Sequence, residues 1–484
     1  LGATCYDKAI ERMMLQLKSF GYNCIRCSHN PYSDSFARIA DRVGMLVVDE
    51  LTDKWSDNDY WGGRQPFTHI WHKLITEWIK RDRNRPSIIL WSLGNELQIR
   101  EGWAGFEGTN DWGITTYNIF NQLVKRWDHT RLTTVAMFPA RAGAITRHDK
   151  EFNDYLVPPE LACATEVASF NYQSDKYDAY LKYRPDLILF QSEAETSNLL
   201  QPYYNMDRKR TVGMAYWGSA EYWGESNKWP KKGWNYSFFD HTMRPYPQAY
   251  LIKSAFMPEI PEVHIGVVDA AGAESVSWND VIVGRMALNE CWNHTPGSRQ
   301  SLFTFTNAHS VELLVNGQSM GVQENDTTQA NLRNMIYWKD VPYGNGGSVV
   351  AIARDKSGKE VARHHIETAG KAVALRIEAE TPADWKADGM DLQYINVTAI
   401  DKKGRPVWDY NEPLTLQMEG AARLVALDNG DHYTDELFHG ITSKRMYQGR
   451  MQIILRSTKT PSNVKLEISS ADLKEKLSLK TSLK

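Results

Sequence analysis

Two glutamates stand where apolar runs stop abruptly. "RNRPSIILWSLGNE", residues 83–96, ends in Asn95 and Glu96, and "LILFQSEAETS", residues 187–197, carries Glu193 and Glu195 just past its apolar half. Acids that face each other across a shared rim can cleave a glycosidic bond: one protonates the leaving oxygen while the other attacks or stabilises the anomeric carbon. That division of labour needs unequal pKa values, and two neighbouring carboxyls supply part of the inequality by raising one another. Asn95 is suited to hold a sugar hydroxyl, and Tyr172 to orient the partner carboxylate. A plainer reading makes Glu96 a salt-bridge partner of Arg26 or Arg83, since ion pairs also gather at strand ends. Of Glu193 and Glu195, two residues apart, one is expected to be structural.

These acids need elements that bring them together. The first 255 residues alternate helical and strand-like segments, the signature of a parallel α/β fold. Helices are expected over 7–20, 33–43, 67–82, 116–128, 176–183 and 246–255, and strands over 22–28, 45–49, 87–93, 132–137, 166–171, 187–191 and 211–217. Seven strands led by a helix imply a (β/α)8 TIM barrel whose first strand lies upstream of Leu1. Side chains that act on substrate sit at the C-terminal ends of barrel strands. Those ends here carry Ser28, His29 and Asn30; Asp49 and Glu50; Asn95 and Glu96; Asn171 and Tyr172; Ser192 and Glu193; and Trp217, with Glu221 and Glu225 just beyond.

Composition narrows the partners. A 484-residue chain with 42% hydrophobic and 24% charged residues and a net charge of −3 is globular and multi-domain. Without long charged runs or a stretch of roughly 20 apolar residues, neither nucleic acid nor membrane is an expected partner. Twelve of the 17 tryptophans precede residue 240, and flat aromatic faces suit sugar rings. Cys24 and Cys27 are three apart on a strand, on opposite faces, and read as buried thiols rather than a metal or redox pair. His29 has no second ligand at metal-binding spacing and reads as a hydrogen-bonding rim residue. No metal or other cofactor is expected.

Beyond Pro258 the pattern becomes short alternating runs, read as two immunoglobulin-like β-sandwiches over 262–369 and 372–478 that follow a barrel over 1–257. Asn316-Gly317, Ser357-Gly358 and Asn429-Gly430 read as hairpin tips, and "KEKLSLKTSLK" as a frayed end.

"NCIRCSHNPYSDSFARIADRVGMLVVDE" followed by "RDRNRPSIILWSLGNE" resembles the catalytic barrel of glycoside hydrolase family 2, which includes β-galactosidases, β-glucuronidases and β-mannosidases. The resemblance covers the barrel part, and the sandwiches resemble accessory domains of bacterial members. It implies a retaining exo-β-glycosidase with Glu96 as acid/base and Glu193, rather than Glu195, as nucleophile. By position it assigns substrate contacts to His29, Asn30, Glu50, Asn95, Tyr172, Trp217 and Trp223. The family's amino-terminal sandwich and middle immunoglobulin-like domain do not precede Leu1, so they are expected in cis or on another chain; a homo-oligomer is also compatible. The expected substrate is an oligo- or polysaccharide with a terminal β-galactoside, then a β-glucuronide, for which Lys231 and Lys232 fall near the family's carboxylate-binding segment without reproducing it. A non-catalytic carbohydrate-binding protein is the reading from a different class. The resemblance implies a periplasmic or extracellular location.

Overall fold

A computed structural model describes residues 5–55, 66–97, 113–138, 157–226, 229–269, 272, 275–278 and 281–483. Among them, no helix is long and apolar enough to cross a membrane. The chain forms two compact units: residues 17–217 with 278–281, and residues 1–16, 218–277 and 282–484.

The first unit is a parallel barrel of seven strands among the described residues. These are β1 (Cys24–Arg26), β2 (Leu46–Glu50), β3 (Ile88–Asn95), β4 (Leu132–Met137), β5 (Val167–Asn171), β6 (Leu189–Ala194) and β7 (Thr211–Tyr216). They pair in chain order, and β1 also approaches β7, so the sheet nearly closes. Helices Asp34–Val43, Phe67–Asp82 and Ile114–Trp127 return the chain between strands. The Asp34–Val43 helix shows why the sequence folds locally: the Ser33 side chain caps its start by accepting from Phe36 N, and Gly44 closes its end at φ 69°.

Strand alternation builds the barrel interior in layers. Val48, Leu90, Val167 and Phe190, with Cys24 and Ala215 packed against them, form an apolar layer. Two residues further along the same faces come Arg26, Glu50 and Ser92, and Asn171 lies four residues beyond Val167. A dry floor therefore lies directly beneath a charged layer.

Of the irregularities that interrupt the alternation, two bear on the site. Ser92 and Asn95 of β3 stand opposite Thr134 and Ala136 of β4, so β3 holds one extra residue. Phe170 and Asn171 of β5 stand opposite Gln191 and Glu193 of β6, so β6 does too. Such bulges re-aim the side chains that follow them. At the first, a Cβ on Gly94 would lie 2.7 Å from Trp55 Nε1, and that indole donates to Leu93 O at 2.8 Å. Gly94 is there because an indole occupies the space of a side chain.

The second unit holds four-stranded antiparallel sheets. One pair comprises Leu288–Asn289, Val263–Val268, Arg299–Thr306 and Met335–Pro342, in that order, and Gln318–Glu324, Ser310–Val315, Ser348–Arg354 and Glu360–Glu367. Ile265, Trp292, Leu302, Leu313 and Ala351 lie in its core. The other pair comprises Ala374–Ala379, Leu392–Ile400, Arg450–Ser457 and Ala422–Asp428, and Ser443–Arg445, Pro413–Glu419, Asn463–Ser470 and Leu473–Lys480. Trp385, Ile395, Leu427, Ile453 and Leu466 lie in its core.

Three expectations change. Asn316-Gly317 is a hairpin tip with both residues at positive φ, but Asn429-Gly430 is not. The strand before it lies in one sheet and the next strand, Ser443–Arg445, in the other, so residues 429–442 form a long connection. The carboxyl end is not frayed: Leu473–Lys480 pairs with Asn463–Ser470 along its whole length, because Leu473, Leu477 and Leu479 lie on one face of it. Residues 218–257, placed with the barrel from the sequence, pack with the sandwiches instead. Lys232 N donates to His432 O at 3.0 Å, and Lys253 pairs with Glu262 at 2.7 Å.

Candidate active site

Arg26 is the centre of the charged layer. Its side chain is buried and donates to Glu50 Oε2 at 2.7 Å, to Glu193 Oε1 at 2.7 Å and to Asn95 Oδ1 at 2.9 Å. Buried charge is tolerated only when paired and hydrogen-bonded, and here one guanidinium serves two carboxylates and an amide from three other strands. Glu50 is fully buried and also accepts from Ser92 Oγ at 2.7 Å. His29 Nδ1 lies 2.7 Å from Glu50 Oε1. Burial opposes charge on His29, but the Glu50 hydrogen bond and charge prevail, and its pKa is raised. Its ring stacks on Trp217, centroids 5.2 Å apart and 7° from parallel.

Glu193 is held from two sides: Arg26 at Oε1, and Tyr172 Oη, which donates to Oε2 at 2.5 Å. Tyr172 N also donates to Glu193 O at 2.8 Å. Glu96 has a different environment. Its Oε1 accepts from Asn171 Nδ2 at 3.1 Å, and Asn171 is oriented by Ser192 Oγ at 2.8 Å. Burial and the Glu193 charge push the Glu96 carboxyl up to about 7, against the opposing pull of Lys54, Asn171 and His29. Both Glu96 and Tyr172 sit at positive φ, 49° and 58°. That region is unfavourable for side chains with a Cβ, and such strain clusters at functional sites.

Asn95 is fixed on every side, accepting from Arg26 and Asn171 at Oδ1 and donating from Nδ2 to Asp53 Oδ1 at 3.1 Å. Buried Lys54 donates to Asn95 O at 3.0 Å and to Asp53 Oδ1 at 2.7 Å.

The barrel thus brings together Glu96, Glu193, His29, Glu50, Asn95, Tyr172 and Trp217. The alternative pairing of Glu96 with Arg26 or Arg83 is not what forms: Arg26 serves Glu50 and Glu193, and Arg83 donates to Trp127 O at 3.0 Å. Asn30 is exposed and donates to Pro31 O, outside this network. Trp223 belongs to the other unit, where its ring meets Phe438 edge-on at 4.7 Å. Asp49 faces away from the charged layer and accepts from Trp78 Nε1 at 2.6 Å. Glu195, beyond the end of β6, accepts from Asn198 at 3.1 Å. Asn227-Lys228 lie outside the described residues.

Arg26, Asp53 and Lys54 join the network without having been singled out as site residues, and Asn171, expected at a strand end, joins it too. The available signal was parity: Arg26 shares a strand face with Cys24, as Glu50 does with Val48.

Known protein families match both parts of the chain. The glycosyl hydrolases family 2 TIM barrel domain matches residues 2–212, and glycoside hydrolase family 2 C-terminal domain 5 matches residues 375–477. A domain of unknown function, DUF4982, matches residues 297–362. The chain belongs to glycoside hydrolase family 2. It is 26% identical to beta-galactosidase BoGH2A of Bacteroides ovatus, over 98% of this chain and 59% of that protein. It is 24% identical to a putative beta-glucuronidase of Formosa agariphila, over 94% of this chain and 44% of that protein. A crystal structure of a family 2 member from Bacteroides cellulosilyticus superposes with a TM-score of 0.86 at 26% identity, over 99% of this chain and 60% of that one. The chain therefore spans about half of the length of the curated relatives it matches.

Proposed function

We propose that the barrel site is that of a retaining exo-β-glycosidase acting on terminal β-galactosides. The observation that carries this reading is the unequal treatment of two acids at the ends of β3 and β6. Glu96 is raised to about 7 and so keeps a proton to donate near neutrality. Glu193 is paired with Arg26 and Tyr172, which orient a charged oxygen for attack.

In the first displacement Glu193 attacks the anomeric carbon, forming the glycosyl–enzyme bond, while Glu96 passes its proton to the departing oxygen. Esterification removes the Glu193 charge that raises Glu96. The Glu96 carboxyl then becomes a stronger acid, and its carboxylate takes a proton from the water that attacks in the second displacement. Asn95, fixed by Arg26, Asn171 and Asp53, is positioned to meet a ring hydroxyl, and the parallel His29–Trp217 pair offers a flat wall to the sugar.

The choice of galactoside over glucuronide rests on two supports. A relative matched over 98% of this chain is named a beta-galactosidase. The lysines considered for a sugar carboxylate are committed elsewhere, Lys231 to the Tyr236 hydroxyl at 2.8 Å and Lys232 to Thr434 O. Hydrolysis of aryl β-galactoside and aryl β-glucuronide, with Glu193→Gln as control and the first-formed anomer read by proton NMR, tests the whole reading. Galactoside turnover that yields the β-anomer and vanishes in the variant is expected. An α-anomer overturns retention; glucuronide turnover alone overturns the substrate; sugar binding without turnover makes the site a carbohydrate-binding one.

A further inference from the structure

Away from the barrel site, the second unit gathers Glu221, His241 and His432, and one ligand-capable atom of each lies within 4.8 Å of the others. Glu221 and His241 come from the stretch after the last barrel strand, and His432 from the long connection in the second sandwich. Glu221 Oε2 lies 3.3 Å from His241 Nδ1 and 3.2 Å from His432 Nδ1. A hydrogen bond to a carboxylate normally closes to about 2.7–2.9 Å. The edge of a tetrahedron around zinc, with bonds of about 2.0–2.1 Å, is about 3.3 Å. The two observed spacings fit the second figure.

The surroundings are those of oriented ligands. His241 Nε2 lies 2.9 Å from Asp428 Oδ1, so a proton on that nitrogen leaves the Nδ1 lone pair turned toward Glu221, the arrangement that carboxylates impose on metal-binding histidines. Glu221 Oε1 accepts from Tyr246 Oη at 2.8 Å and Arg285 Nη1 at 3.1 Å, which fixes the carboxylate plane. His432 is 4% exposed, with no hydrogen-bond partner for Nε2 among the described residues and only the 3.2 Å contact for Nδ1. Hydrogen bonding alone holds this buried ring weakly; a metal bond holds it strongly. Glu221 and His432 also line a cavity of about 200 Å³, which leaves room for a solvent molecule as a fourth ligand. Glu221 and Asp428 carry two negative charges against one from Arg285, so a further cation is accommodated.

We propose that Glu221, His241 and His432 bind one zinc ion, which clips the stretch after the barrel strands to the second sandwich. A second grouping, His264, Glu290 and His364, is not equivalent. Its two imidazoles stack face to face at 4.0 Å, and His364 Nδ1 is occupied by the Ile265 N–H at 3.0 Å. It serves as the internal control. The rival arrangement at the first site needs no metal: a doubly protonated His241 bridging Glu221 and Asp428.

The test uses the whole chain, stripped with a chelator and then titrated with Zn²⁺ or Co²⁺, and does not depend on glycosidase activity. Expected are one tightly held equivalent of zinc by mass spectrometry, the visible absorption of four- or five-coordinate Co²⁺, and a rise in Tm of about 5 °C on saturation. His432→Ala and His241→Ala lose the absorption and the stoichiometric ion, while His364→Ala keeps both. If the histidine variants do not fold, the Co²⁺ spectrum and the chelator-dependent Tm of the native chain decide alone. A folded native chain that binds no equivalent, or shows only octahedral Co²⁺, overturns the proposal, as does binding that survives in His432→Ala.

Discussion

Arg26 ties the two halves of the proposed chemistry together, since its guanidinium donates to Glu50, Glu193 and Asn95. Arg26→Met is expected to cost about 3–5 kcal/mol of stability, because removing one partner leaves buried carboxylates unpaired, and to depress kcat by freeing Glu193. Urea unfolding and steady-state kinetics read the two effects separately. Glu96 gives a pH-dependent test. Its folded value of about 7 lies above its ordinary 4.5, so the folded chain holds this proton more tightly than the unfolded chain. Stability is therefore lost as pH rises from 4.5 through 7. Glu96→Gln is expected to raise Tm relative to the parent at pH 8 but not at pH 4, while reducing turnover about 10²- to 10⁴-fold. In the parent, kcat/KM is expected to fall as pH rises through about 7, where the donor proton is lost. A profile flat to pH 9 contradicts this. The carboxylates were legible in the sequence because each ends an apolar run. Arg26 was not, because a basic residue between two cysteines in an apolar strand looks the same whether it points into a barrel or out of it.

At the scale of elements, the bulges in β3 and β6 decide which side chains share the site. Strict alternation from inward-facing Ser92 turns Asn95 outward; the extra residue in β3 turns it in. The extra residue in β6 likewise lets both Ser192 and Glu193 reach interior partners. Strand positions follow from hydrophobic pattern, with five of the seven expected barrel strands beginning or ending within one residue of the observed ones. A bulge leaves almost no trace in that pattern, which is why the network around Asn95 was not foreseen. Gly94 is the exception, a glycine inside a strand that marks close approach by another group. Gly94→Ala is expected to destabilise the fold by about 1–3 kcal/mol by displacing Trp55, with a change in tryptophan fluorescence. An unchanged spectrum and Tm show that the indole yields freely. The terminal strand makes a similar point in reverse: Leu473, Leu477 and Leu479 share one face, but its lysines disguised a strand whose other face meets solvent. Removing residues 473–484 is expected to cost at least the about 1.5–3 kcal/mol of burying Leu479, seen as a lower unfolding midpoint.

For the whole molecule, the division falls at Trp217 rather than at the expected boundary near 257. The helix Asp7–Ser19 already joins the second sandwich through Arg12, whose guanidinium donates to both oxygens of Glu380 at 2.6 and 2.8 Å. Residues 218–257 are tied to the same unit by Asn235 with Tyr433 and Arg244 with Gln448. No local pattern discloses this, because the partners lie about two hundred residues downstream. A fragment ending at Met257 is expected to lack a fixed tertiary structure, with weak near-ultraviolet circular dichroism, since buried Glu221 loses His432. The same feature sets the natural crossover point for shuffling genes of this family. A recombinant that takes its sandwiches from one parent and residues 218–257 from another pairs strangers across the Lys232–His432 and Arg244–Gln448 contacts. Inheritance as a block from Gly218 onward keeps those partners together.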